Sequence, residues 1–351
     1  PDAFGKALLD KWLALSGRTF ANPIERLCYQ GKRSMGALEF VPAQDNYLEL
    51  STGLEIKTLI ETAREVLDEK KKLDVNLNVD TKEAVANIIR VGTSAGGQRA
   101  KAVIAYNETT GDIRSGQIEA PDGFSHWLIK LDGVTNNELG DPKHYGRIEY
   151  GYYLMARDAG IEMSECRLIE ENGRAHFMTK RFDRVNGNEK LHMQTLCGMA
   201  HYDYKMIHAY SYEQVFQVMR RLRLSYSDAE QMFRRMVFNV VARNQDDHTK
   251  NISFLMDRQG KWSLSPAYDV SWAYNPKGIW TSNHQMSINN KSDEITRDDL
   301  LSVARNVNIK HADQIIDQVI ESVSHWPDLA KEYGIPDDIE KAINSTLLLD
   351  M

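Results

Sequence analysis

Residues 243–254 read RNQDDHTKNISF, and they pack Asp246, Asp247, His248, Lys250 and several amides into a dozen positions between strongly apolar flanks. Upstream, Phe233, Met236, Val237, Val240 and Val241 recur at helical spacing and give one apolar helix face. Downstream, NISFLMDRQGKWSLSPAYDV carries two short apolar runs around DRQG, which is a hairpin signal. The stretch therefore reads as helix, polar loop, hairpin. If residues 252–256 pair with 261–265, Asn251 and Asp269 lie at the open end of the hairpin, with Asp246 just before it. Neighbouring strands are ~5 Å apart, so these three side chains can reach a common point.

Three hard oxygen donors around a solvated gap suit Mg²⁺, which takes one or two carboxylates and fills the rest of its shell with water and phosphate oxygens. Asp246 and Asn251 also form D-x-x-x-x-N, the interval of a protein-kinase catalytic loop. There the Asp accepts a proton from the substrate hydroxyl and the Asn holds a metal. Asp269, after the intervening hairpin, stands where a second Asp would hold the metal on the phosphates. Alone, D-x-x-x-x-N is common, and a polar helix end with a capping Asp and a turn Asn is an equal reading.

Upstream residues extend the pattern. TSAGGQR, residues 93–99, has few side chains to obstruct backbone N–H groups, so Ala95, Gly96, Gly97 and Gln98 suit a phosphate cradle, although an ordinary small-residue turn reads the same. Lys130 ends the apolar run HWLIK, either as an edge-strand lysine reaching water or as a phosphate ligand. Glu149, on the following helix, is either a surface charge or the ion-pair partner of Lys130.

The 351 residues suit about two domains, and 42% apolar with 26% charged residues is the composition of a globular chain. A net charge of −7 gives no overall attraction to nucleic acid or anionic membrane. The cysteines, Cys28, Cys166 and Cys197, are odd in number and form no C-x-x-C, which argues against a disulfide framework or zinc ribbon and for a reducing cytoplasm. No apolar run reaches ~18 residues, so no membrane contact is expected.

Amphipathic helices are expected in FGKALLDKWLAL, LEIKTLIETAREVLDEKKK and TKEAVANIIRV, the last with Thr81 as N-cap. AKAVIAYN, IRSGQIEA and SHWLIKLDG read as strands, YGRIEYGYYLMARDAG as a helix stopped by Gly160, and CRLIEENGRAHFMTKRFDR as a hairpin turning at Asn172-Gly173. Beyond VNGNEK the chain is mostly helical, with capping-box spacing at Ser211–Gln214 and Ser227–Glu230 and later helices near 296–306, 310–325 and 336–348. The expected organisation is a strand-rich lobe over 1–184 and a helical lobe over 185–351, an α+β fold.

LLDKWL, ERLCYQGKRSMGALEF, TSAGGQRAKA, KRFDR, QTLCGM, DDHTKNISF, LSPAYDV and HQMSINNK together resemble the HipA family, bacterial toxin kinases of type II toxin–antitoxin systems. The resemblance implies a two-lobed protein-kinase-like fold with an α/β N-lobe, an antiparallel sheet and an all-helical C-lobe. It implies ATP and Mg²⁺ as cofactors and phosphate transfer to a serine or threonine of a protein, often an aminoacyl-tRNA synthetase, which slows growth. It also implies a HipB-like helix-turn-helix antitoxin, repression of the shared operon, and operator DNA contact mainly through that antitoxin.

Carried over by motif, Asp246 is the catalytic base, Asn251 and Asp269 hold Mg²⁺, and Lys130 contacts phosphate. The backbone of Lys180, Arg181 and Phe182 forms the adenine hinge, Gln194 is a further nucleotide-site residue, His248 bonds the loop backbone, and Lys250 approaches the γ-phosphate. Either Thr93 or Ser94 is the autophosphorylated hydroxyl. Family members carry a further N-terminal subdomain of strands that would precede Pro1. Lys180 stands where Glu is commoner, and Asp247 where Gly is frequent; Asp247 is expected to add charge near the phosphates or to recruit a second metal. The alternatives are a Mg²⁺-dependent small-molecule kinase and an inactive pseudokinase acting as a repressor partner.

Overall fold

Short β-branched and aromatic runs build an antiparallel sheet of five strands: β1 (Lys101–Tyr106), β2 (Ile113–Ser115), β3 (Ser125–Lys130), β4 (Cys166–Glu171) and β5 (Arg174–Lys180), in the order β2-β1-β3-β5-β4. These positions come from a computed structural model that describes residues 5–6, 9–10, 13–14, 17–43, 99–116, 119–133 and 144–351. The helices expected over 54–72 and 81–91, the N-cap Thr81, and the loop residues Thr93, Ser94, Ala95, Gly96, Gly97 and Gln98 lie outside the described residues. The chain divides into two compact units, residues 1–146 with 165–192, and residues 147–164 with 193–351. Residues 147–164 thus count with the second unit, and the later crossing comes at 192/193 where the sequence suggested 184/185.

In the first unit, β1 pairs with β3 along its whole length, Lys101 opposite Lys130 and Tyr106 opposite Ser125. On its other side β3 pairs with β5, placing Phe177 opposite Lys130. Lys130 therefore sits on a central strand, which excludes the edge-lysine reading. Asn172 (φ 47°) and Gly173 (φ 78°) both take positive φ between β4 and β5, the backbone that a two-residue hairpin turn demands. The helix α1 (Pro23–Gln30) starts with a capping box between Asn22 and Glu25. Buried Asp183 clasps the preceding segment: it accepts from Arg181 Nη2 at 2.7 Å, Arg184 Nη1 at 2.8 Å and Gly36 N at 2.6 Å. A small hairpin of β6 (Arg184–Val185) and β7 (Glu189–Lys190) follows.

The helix α2 (Tyr145–Asp158) begins at Gly146, where a Cβ would stand 2.1 Å from the carbonyl oxygen of Ala175 on β5; only glycine permits that approach. Gly160, with φ 76°, ends the turn after α2. The second unit then continues through β8 (His192–Thr195), α3 (Leu196–Ala200), β9 (Tyr210–Ser211), α4 (Tyr212–Arg221), α5 (Tyr226–Val241), β10 (Ser253–Met256), β11 (Trp262–Leu264) and β12 (Met286–Ser287). It closes with α6 (Arg297–Val307), α7 (Ala312–Ser324), α8 (Trp326–Glu332) and α9 (Asp337–Asn344).

Ser211 and Gln214 cap α4 as their spacing suggests. The expected box at Ser227–Glu230 is displaced. The cap is Ser225 with Asp228, because the backbone turns helical at Tyr226 and a shorter carboxylate closes the same reciprocal pair. Phe233, Met236, Val237, Val240 and Val241 are all fully buried on α5. Tyr152 of α2 packs edge-on against Phe238 and Trp326, its hydroxyl donating to Ala242 O at 2.8 Å. That core anchors the C-terminal end of α5, from which the polar loop departs.

Candidate active site

The loop after α5 is built so that its polar groups have fixed directions. Arg243 has φ 54°, and Gln245 N donates to Ala273 O at 3.1 Å. Asn251 Nδ2 donates to Asp246 O at 2.8 Å, closing the D-x-x-x-x-N segment on itself. That bond uses the amide's donor end, and the oxygen end is the chemically sensible ligand for a hard cation. The β10–β11 hairpin pairs Phe254 with Leu264 and Met256 with Trp262, within the expected register.

Asp269 has φ 56°, a left-handed conformation that a non-glycine residue adopts at a free-energy cost and that clusters at functional sites. Next to it, the buried Tyr268 hydroxyl donates to Lys250 O at 2.6 Å and also bonds Ser253 Oγ. Burial pushes this phenol up, so it stays protonated as a donor. The Asp269 backbone is thus tied to the polar loop through its neighbour. His248, Asn251 and Asp269 line one pocket, together with Tyr212, Arg235 and Asp247. Burial lowers the Arg235 pKa to about 10, leaving it a cation at neutral pH beside these carboxylates. Asp246 is not among the lining residues; its half-exposed side chain has Oδ1 3.9 Å from Nε2 of His248, which is.

Asp247 departs from expectation. It is 3% exposed, and its Oδ2 accepts from the Tyr212 hydroxyl at 2.8 Å and faces His284 Nδ1 at 2.9 Å, while Oδ1 accepts from Gln285 N at 2.7 Å. The Tyr212 hydroxyl itself accepts from Asn239 Nδ2 at 2.9 Å. Its carboxylate is fully engaged inside the unit, so it anchors the loop while also lining the same pocket. His248 also differs. Its Nδ1 is buried with no hydrogen-bond partner among the described residues, and its ring lies edge-on to Tyr204 at 5.5 Å. The expected bond to the loop backbone is not made there. Lys250 holds its ammonium 4.0 Å from the Tyr204 ring centroid, a cation–π contact.

The remaining candidates divide between the units. Gln194 lies half-buried on β8, and Glu149 is 2% exposed on α2, not a surface charge. In the first unit, Lys130 lies 5.8 Å from the Phe177 ring centroid. Lys180 N donates to Glu165 O and Arg181 N to His126 O. The side chain of Lys180 pairs with Glu108 at 3.3 Å, and that of Arg181 with Asp183 at 2.7 Å. Both side chains and both N–H groups of Lys180 and Arg181 are therefore committed within the first unit.

Three contributors escaped the sequence reading. Lys101, 5% exposed, stands across from Lys130, and its place one residue past TSAGGQRA was the available signal. Tyr268 and Tyr204 carry no motif of their own, and only contacts reveal them. Among the described residues, no three His, Cys, Asp or Glu side chains gather as a metal site. The oxygen donors fit Mg²⁺ only as an ion that takes one carboxylate and one amide and completes its shell with water and phosphate. No described helix is long and apolar enough to cross a membrane.

A profile described as "HipA-like C-terminal domain" matches residues 93–326. Two Sinorhizobium fredii proteins are related in sequence: "Putative kinase Y4dM", 25% identical over 216 residues covering 57% of this chain and 50% of that protein, and "Putative kinase Y4mE", 25% identical over 152 residues covering 41% and 33%. The chain thus spans between a third and a half of the length of these relatives. Shewanella oneidensis HipA, solved with HipB and its operator DNA, shares the fold at a TM-score of 0.66 and 15% identity, over 95% of this chain and 78% of that one. The architecture is that α+β kinase-like fold, and the family profile covers more than half of the sequence. This chain belongs to the HipA-like C-terminal domain family.

Proposed function

We propose that this chain is a HipA-type, ATP-dependent protein kinase that phosphorylates a serine or threonine hydroxyl. The observation that carries the reading is the closed Asp246–Asn251 loop, whose Asn251 faces the same cavity as a left-handed Asp269. Family membership supports it, as does the printed description of the two Sinorhizobium relatives as kinases.

When bound, Mg²⁺-ATP supplies the phosphoryl group and neutralises the charge that develops on its oxygens. The residues divide the remaining work. Asp246, half-exposed, accepts the proton of the acceptor hydroxyl. Asn251 and Asp269 are the oxygen donors that hold the cation. Lys250, whose ammonium lies over the Tyr204 ring, would contact the transferred phosphate. In the first unit Lys130 with Lys101 and the loop Ala95–Gln98 would serve the nucleotide phosphates, and in the second unit Gln194 and Glu149 are the further nucleotide-site candidates. From Lys180 to Phe182, the adenine would be held by backbone groups other than the Lys180 and Arg181 N–H groups, which are committed like the side chains. Positioning and charge, not covalent chemistry, supply the catalysis.

In this reading the acceptor is a cytoplasmic protein, with an aminoacyl-tRNA synthetase as the leading candidate, and its modification slows growth. A HipB-like antitoxin restrains the kinase and carries the operator contact, which suits a chain of net charge −7. Either Thr93 or Ser94 is the self-modified hydroxyl. The test is transfer of labelled phosphate from ATP in a bacterial extract. The wild-type chain is expected to label one dominant protein, and Asp246→Asn to lower that labelling by about 100-fold or more. Undiminished labelling by Asp246→Asn removes the base from this assignment.

A further inference from the structure

The described residues of the second unit expose four large apolar side chains: Met206 (56%), Tyr226 (46%), Ile279 (80%) and Trp280 (47%). Tyr226 belongs to the first turn of α5. The other three lie on two loops, residues 201–209 and 274–285, and both loops are bonded to the candidate catalytic loop. From the first, Tyr202 O accepts from Thr249 Oγ1 at 2.8 Å, and Tyr204 packs against His248 and Lys250. From the second, Gln285 N donates to Asp247 at 2.7 Å. The side-chain amide of buried Gln245 lies 3.0 Å from Thr281 O and 3.2 Å from Ser282 O, and donates to both once its nitrogen is turned toward that loop. The two loops are also joined to each other, His208 N donating to Gln285 O at 3.1 Å and β9 pairing in parallel with β12.

We infer that these two loops form a docking platform for the protein substrate, on which Met206, Ile279 and Trp280 receive apolar side chains flanking the acceptor hydroxyl. The inference rests on the kinase reading above and names the substrate chemistry for that same site. Its warrant is continuity: the exposed apolar groups are mounted on the segments that hold the residues flanking Asp246. Isolated apolar residues on a surface need no explanation, but three of four on two mutually bonded loops beside one loop do. Trp and Met are the residue types enriched at protein-binding patches, and Met adapts its shape to a partner. Asp203, Lys205 and Lys277 are exposed on the same loops and provide a polar rim. A small-molecule acceptor is ill served by such projecting groups, because small ligands are held in concave sites that bury most of their surface. An extended polypeptide segment can lie across them.

The test uses the full chain with Mg²⁺ and labelled ATP on arrayed peptides. Each peptide carries one serine, with a flanking position fixed as leucine, phenylalanine, lysine or aspartate. Leucine or phenylalanine peptides are expected to be labelled about tenfold faster than aspartate peptides, the size set by burying one such side chain. The variant Met206→Ser/Ile279→Ser/Trp280→Ser should reduce that preference to below about twofold, with ATP hydrolysis and melting temperature unchanged, while Ile279→Leu should preserve it. ATP turnover without apolar preference, or with no peptide labelled, or a preference that survives the triple serine variant, overturns the platform and leaves the kinase reading standing. Absence of both ATP turnover and labelling sinks the kinase reading and the platform with it. A change of oligomeric state in the serine variant would assign the surface to contact between copies, which also overturns the inference.

Discussion

Replacing Asp247 with alanine removes a carboxylate that three groups converge on: the Tyr212 hydroxyl at 2.8 Å, His284 Nδ1 at 2.9 Å and Gln285 N at 2.7 Å. All lie in the interior, with Asp247 3%, Tyr212 0% and His284 1% exposed. Deleting a buried carboxylate that carries several hydrogen bonds costs roughly 3–5 kcal/mol, since the abandoned groups stay desolvated. Counting the three abandoned groups separately, at about 1–3 kcal/mol each, gives about 3–9 kcal/mol, which overlaps that range. At about 2–4 °C per kcal/mol for a unit of this size, the midpoint of thermal unfolding should fall by roughly 6–20 °C. Asp247→Asn keeps one oxygen for Gln285 N–H and should lose about 1–2 kcal/mol. Circular dichroism melts and urea titrations read both effects, with Asp246→Asn as the neighbouring control. Its half-exposed side chain predicts a shift near zero beside the loss of transfer. An Asp247→Ala chain that melts within about 2 °C of wild type would refute the anchor, and would return Asp247 to the solvated edge of the site.

The first unit should carry a pH-dependent element at His176. Burial, with the nearby Arg174 charge, lowers its pKa from 6.5 to about 4, and its Nδ1 accepts from Asp132 N at 2.8 Å, which only the neutral ring can do. The folded chain therefore binds this proton less readily than the unfolded one. The stabilisation is complete above pH 6.5 and is lost as pH falls through 4, by up to about 3 kcal/mol. Urea titrations at pH 7 and pH 5 should show that loss, and His176→Leu should flatten it; equal slopes in both chains would disprove the assignment. Gly146→Ala places a Cβ 2.1 Å from Ala175 O and should destabilise by about 1–3 kcal/mol; an unchanged melting temperature would show that α2 does not start against β5.

Local chemistry was legible wherever a feature is complete within a few residues. Asn172-Gly173 turns the β4–β5 hairpin, DRQG turns β10 into β11, and Phe233 to Val241 bury one helix face, because backbone preference and hydrophobic period act over one or two turns of chain. The Ser225–Asp228 cap shows the limit of that legibility. Two Ser-x-x-acid frames overlap in SYSDAE, and the choice between them depends on where the backbone first turns helical.

By itself, then, the sequence determined the order of elements and the residue types that could serve phosphoryl transfer, with Asp246, Asn251 and Asp269 around one hairpin. Only the tertiary structure decided what each polar group faces. Asp247 and His284 are 37 residues apart, and Asp132 and His176 are 44 apart, yet each pair meets in the interior. Lys130 reads as an edge residue until β1 and β5 are seen to flank its strand. Spacing along a chain fixes which groups are near in sequence, whereas burial, pairing and charge compensation depend on groups brought together by folding. For that reason neighbouring Asp246 and Asp247, alike in type, end in opposite environments, one half-exposed beside His248 and one buried and bonded within the second unit.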